Sequence, residues 1–174
     1  DVYLTRGIVN EKLLRWDDAL RDYSKAREIA KKRDLFGRED PTIISNIANA
    51  ETGAGMWKEA LRDFSRSSEM NADFMAPKIG KALVLYELDR KSEGLGIMKE
   101  ILAKYPNTFT DGMAAVAVME YGMGVDGEAL ERAQVMYKNA VAQDSRYSDV
   151  GWVRDIRRWP PSLAEALESF QKSL

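Results

Sequence analysis

The apolar positions of this chain recur at the spacing of one helix face, and that face is written four times. In "RWDDALRDYSKA", Arg15 to Ala26, the residues Ala19, Tyr23 and Ala26 stand at i, i+4 and i+7, one stripe of an α-helix. "MWKEALRDFSRS", Met56 to Ser67, is nearly the same text 41 residues later and puts Ala60, Phe64 and Ser67 in that frame. The frame returns after 34 residues on Gly94, Met98 and Ile101, and after a further 39 on Ala133, Tyr137 and Ala140. A small residue lets two helices approach, and a bulky one four places on fills the space beside it. Four helices with one packing rule are predicted.

Each of these is preceded by a second apolar stretch. The first holds Leu4, Ile8 and Leu14 around Gly7; the second holds Ile43, Ile44, Ile47 and Ala48 after Pro41 and Thr42, which suit a helix start. The third holds Ile79, Ala82, Leu83 and Leu85, and the fourth runs from Met113 to Met119, apolar enough to be buried on several sides. The segments "TGAGM" at 52–56, "LDRKS" at 88–92 and "YGMGVDG" at 121–127 read as turns inside the pairs. No segment alternates with period two, so strands are not predicted.

The chain therefore predicts an all-α fold. Helix pairs fill residues 1–144, divided near 1–40, 41–73, 74–109 and 110–144. Lys31, Lys32 and Arg33 fall in the last turn of an overlong helix, where they complement its dipole and read as a solvated end rather than a binding patch. Residues 145–174 change character. A short helix is predicted over 151–158, then a rigid corner at Trp159-Pro160-Pro161, then a helix from about Ser162 with Leu163, Leu167 and Phe170 on one face. The outer face of a terminal repeat needs cover, so this tail predicts a cap, with Trp152 and Trp159 over the end of the stack.

A helix, a turn, a second helix with the A-x-x-x-F pattern and a period near 34 resemble the tetratricopeptide repeat. The resemblance runs from about Val2 to about Asp144 and implies a right-handed superhelical solenoid of about four helix pairs with a C-terminal capping helix. At the family's Leu-Gly this chain has Arg6-Gly7, Ile47-Ala48 and Lys81-Ala82, and only the third copy keeps the closing proline, Pro106. The ending "WVRDIRRWPPSLAEALESF" further resembles chloroplast tetratricopeptide proteins of plants and algae that are assigned to the thylakoid lumen. That likeness implies a lumenal setting among photosynthetic membrane complexes, such as a photosystem, as peripheral subunit or assembly factor.

Composition narrows the chemistry. Acidic and basic residues nearly cancel, at a net charge of −2, so sequence-independent affinity for nucleic acid or an anionic surface is not expected. Attachment to a membrane is expected only through protein partners. The chain has neither Cys nor His, which removes thiolate nucleophiles, the commonest general base and the commonest metal ligand. Asp17 and Asp18 stand at a predicted helix start and read as dipole partners. "GMGVDG" lacks the Lys and Ser/Thr of a phosphate loop. An enzyme is not expected, and no cofactor or metal is implied.

What is left is binding. In the family the first helix of each pair lines the inner face, which here offers Ser45, Asn46, Asn49 and Thr52 from the second copy and Ile79, Leu83 and Tyr86 from the third. An Asn amide both donates and accepts, as an extended peptide requires; plain solvent exposure would give similar residues. Arg157 and Arg158 beside Trp159 form a second candidate, able to clamp a carboxylate or simply to brace the corner. Chaperone-binding relatives grip a terminal carboxylate with cations from the first and third copies. Leu4, Ile8, Ala76 and Gly80 stand there instead, and only Asn46 matches. The expected function is a protein interaction scaffold. Alternatives are a peptide adaptor unrelated to photosynthesis and an RNA-binding helical repeat, the latter disfavoured by spacings of 41, 34 and 39 and by the negative charge.

Overall fold

A computed structural model describes residues 1–106 and 108–174. Among the described residues the chain is all-helical, with ten α-helices, one 3-10 turn and no strand. It forms two compact units, Asp1–Val84 and Leu85–Leu174.

The first unit contains α1 (Val2–Lys12), α2 (Trp16–Arg33), α3 (Pro41–Gly53), α4 (Trp57–Met70) and most of α5 (Met75–Glu87). Helices α1 to α4 pack in sequence order, each against the next. Its core joins Ala19, Tyr23 and Ala26 of α2 to Ile43, Ile47 and Ala50 of α3. The close approaches are made by glycine. A methyl group at Gly7 would lie 2.6 Å from the Tyr23 ring, and one at Gly80 would lie 2.4 Å from Phe64. Caps fix the starts: Asp1 accepts from the Tyr3 N–H at 2.9 Å, and Asp40 accepts from the Thr42 N–H at 2.8 Å ahead of Pro41.

The second unit holds the end of α5, α6 (Lys91–Lys104), α7 (Thr110–Gly122), α8 (Gly127–Gln143), the 3-10 turn Ser145–Ser148, α9 (Val150–Asp155) and α10 (Pro161–Gln171). Helix α7 packs against α6, α8 and α10, so every residue from Asp111 to Met119 is buried. Three neighbours explain why Met113 to Met119 is apolar all round. All twelve stripe positions of the four second helices are buried, Gly94 included.

One turn geometry joins the helices of every pair. Leu14, Gly55, Asp89 and Gly124 each adopt positive φ, at 58°, 74°, 60° and 79°. The N–H after each bonds back five residues, as from Arg15 to Asn10 at 2.9 Å, Met56 to Glu51 at 2.8 Å and Arg90 to Leu85 at 2.9 Å. This is the Schellman closure of a helix C-terminus. It places Leu14 in a turn and not on the α1 stripe. Ile8 and Leu14 are accordingly exposed, against the expectation that they pack with Leu4; α1 seats itself through Gly7, Tyr3 and Leu4.

Candidate protein-binding surface

Helix α3 buries Ser45 along with Ile43, Ile44, Ile47, Ala48, Ala50 and Glu51. Ser45 is therefore core and not open to a ligand. Asn46, Asn49 and Thr52 are half-buried at three-residue spacing along the edge of that helix. The Thr52 hydroxyl donates back to the Ala48 carbonyl at 2.9 Å, which leaves the two Asn amides as the open polar groups.

On α5, Ile79 is half-buried while Leu83 and Tyr86 are buried. Tyr86 illustrates why the expected open face fails in the second unit. Its hydroxyl approaches Gly122, where a methyl group would lie 2.0 Å away and also 3.2 Å from the Ala166 Cβ. Helix α10 has folded back onto α7. Its first turn is held by Glu87, which accepts from the Ser162 N–H at 3.0 Å and from its hydroxyl at 2.6 Å. Phe170 meets the rings of Tyr121 and Tyr137 at 4.8 and 5.4 Å. The side of α7 that would line a groove is occupied by the chain itself.

The Arg-Arg-Trp corner is likewise turned inward. Arg157 donates to both oxygens of Asp111, at 3.2 and 2.7 Å, and the Tyr147 hydroxyl donates to the same carboxylate at 2.9 Å. Burial, with the Asp111 charge beside it, pushes the Tyr147 phenol up. Tyr137 donates to the Tyr147 carbonyl at 2.9 Å and accepts from Gln171 at 2.7 Å, so one network joins α7, α8, the 3-10 turn and α10. Trp159 is buried at 2% exposure. Arg158 is half-buried with φ at 58°, ahead of the two prolines. Trp152 is half-buried, edge-on to Tyr147 at 5.3 Å. Arg157 is a brace, with its fork already filled.

The first unit holds an asymmetric pair of acid sites. In the first hairpin, buried Asp22 accepts from Arg6 at 2.8 and 2.5 Å and from Asn10 at 3.0 Å, and the Arg6 hydrogen bond holds its carboxyl below the usual range. In the second hairpin Ile47 and Glu51 replace Arg6 and Asn10, 41 residues on. Asp63 then accepts from exposed Arg62 at 2.9 Å, while Glu51 Oε2 is buried without a partner among the described residues. Burial, reinforced by Asp63, pushes the Glu51 carboxyl up to about 7.

The surface still open in the second unit is a groove of about 950 Å³ that the inner-face reasoning missed. Met113 and Val116 of α7 form its floor; Leu102 of α6 stands on one side and Val135 and Met136 of α8 on the other. Lys99 and Arg132 stand on its rim, paired with Glu120 at 2.6 Å and Glu128 at 3.5 Å. Val135 is 58% exposed although apolar. The sequence signal was present: Val135 falls between the stripe positions Ala133 and Tyr137, so it must face away from the core. Among the described residues no group of three or more metal-ligating side chains converges, and no helix is long and apolar enough to cross a membrane. No protein-family model matches the chain, and no curated protein sequence matches it.

Proposed function

We propose that this chain is a non-enzymatic interaction scaffold of the tetratricopeptide type, its helix pairs stacked as a right-handed solenoid. The observation that carries the reading is the α6–α7–α8 groove. Its apolar floor and walls under a rim of both charges suit the apolar side of a protein segment, with the rim charges setting register. The repeated small-and-bulky register of the second helices supports the repeat architecture. The Arg-Arg-Trp-Pro-Pro corner supports a lumenal chloroplast reading, with subunits of a photosynthetic membrane complex such as a photosystem as partners, bound stably or during assembly. The inner face of the second unit is not the binding surface in this reading, because α10 covers α7 there.

Crosslinking mass spectrometry on isolated thylakoids tests the partner and the surface together. Crosslinks from Lys99 or Lys104, on α6 beside the groove, to a photosystem subunit are the expected result. Crosslinks from these lysines to a protein outside photosynthesis would move the scaffold to the adaptor reading. Partner crosslinks that avoid α6 and α8 altogether would remove the groove as the binding surface.

A further inference from the structure

Leu35 and Phe36 are the most exposed large apolar side chains of the described residues, at 95% and 80%. They occupy the tip of the α2–α3 loop, and the loop is built to hold them there. The Asp34 carboxylate accepts from the Phe36 N–H at 2.8 Å, the Arg38 N–H at 3.1 Å and the Arg38 guanidinium at 3.2 Å. Gly37 closes the turn at φ 64°, its N–H bonded to the Asp34 carbonyl at 3.1 Å. A loop that merely joined two helices would gain by turning a Leu and a Phe inward. This one spends its hydrogen bonds on presenting them outward.

The charge around the tip has one sign left over. The acids near it are already engaged: Asp34 within the turn and with Arg38, Glu39 between Arg27 and Arg66, Asp40 as the α3 cap. Glu28 is shared by two lysines, Lys25 at 2.8 Å and Lys32 at 2.6 Å. Lys31 and Arg33 are exposed and make no ion pair among the described residues, although Lys31 adds to the field that lowers the Glu39 carboxyl. The basic helix end alone reads as a solvated terminus. Followed closely in the chain by two presented apolar side chains, it reads as the second half of an interfacial anchor.

We propose that the Leu35–Phe36 tip is a docking element for an anionic bilayer surface. The two side chains enter the boundary between headgroups and acyl chains, while Lys31 and Arg33 stay at the level of the lipid phosphates. The chain carries a net charge of −2, so the attraction is local to this end of α2 and would be weak and salt-sensitive. This contact needs no protein partner, unlike the membrane attachment expected from composition, and it is independent of the α6–α8 groove.

The absence of cysteine allows a clean test on the full chain. A Leu35→Cys variant carries an environment-sensitive fluorophore, with Lys12→Cys, the last residue of α1, as control. Vesicles are neutral phosphatidylcholine alone or mixed with roughly one-third phosphatidylglycerol. The expected result is flotation with the anionic vesicles, a blue shift at position 35 and none at position 12. Leu35→Ser with Phe36→Ser should lower the bound fraction roughly tenfold, and Lys31→Gln with Arg33→Gln should weaken it further at low salt, both with unchanged helical content and melting. The proposal is overturned if the chain does not float with anionic vesicles, if the double serine variant floats as well as the parent, or if both labelled positions respond alike. It is equally overturned if the tip is protected only by a detergent-solubilised membrane protein and not by lipid, since the occupant is then a protein pocket.

Discussion

At Leu14 the backbone conformation, and at Glu51 the charge, works against the surrounding fold. Leu14 holds φ at 58° while 56% exposed, in the turn position where two of the other three pairs have glycine. A side chain there costs about 1 kcal/mol and returns little packing. Leu14→Gly is therefore expected to raise the unfolding free energy by about 1 kcal/mol, and a lowered denaturation midpoint would contradict this account of the turn. Glu51 acts through protonation. Its folded-state carboxyl titrates near 7 against an ordinary value of 4.5, so the folded chain holds a proton that the unfolded chain has lost between those values. Stability should fall as pH rises from about 4.5 through 7, by on the order of 1.4 kcal/mol per unit at most. In Glu51→Gln that slope should flatten, and thermal melts across the range would show whether it does.

Helices in this chain are defined by what covers them. Helix α1 has one packed side and leaves Ile8 and Val9 exposed, whereas α7 is wrapped by α6, α8 and α10 and buries nine consecutive residues, Asp111 to Met119. Helix α10 owes its position to contacts distant in sequence: Glu87 over Ser162, Tyr121 against Phe170, and the Asp111–Arg157 brace beside the corner. Trp159 sits beneath that corner at 2% exposure. Removing its ring should open a cavity costing about 3–5 kcal/mol. Urea unfolding of Trp159→Ala would measure it, and an unshifted midpoint with partner binding lost would return the corner to a recognition role.

As a whole the chain offers a peptide no ready cationic cradle. On the tetratricopeptide reading, the positions that would neutralise a terminal carboxylate hold Leu4, Ile8, Ala76 and Gly80; Arg157 is already committed to Asp111. Calorimetry with an acidic C-terminal pentapeptide should register no binding at micromolar concentrations, and a micromolar complex would show the reasoning wrong. The open apolar surfaces lie elsewhere: the groove flanked by α6 and α8, proposed for a protein segment, and the tip between α2 and α3, proposed for a bilayer.

Periodicity carried the local half of this structure. Ala19, Ala60, Gly94 and Ala133, with the bulky residues four places on, are all buried, because a helix stripe is a property of residues one turn apart. Three of the four turns inside the pairs were legible as turns, whereas the first was read as helix stripe through Leu14; neither Leu14 nor Asp89 carries a glycine to mark its left-handed backbone. The expected site fared worse, and for a physical reason. Whether Ser45 or Tyr86 meets solvent depends on which segment arrives on top of it; for Tyr86 the nearby helix α10 begins seventy-five residues later in the chain. Arg157 could be read as a clamp or as a brace, and folding made it a brace by bringing it to Asp111, forty-six residues earlier in the chain. Spacing along a helix says which residues share a face; only the packing of distant segments says which faces are left for a partner.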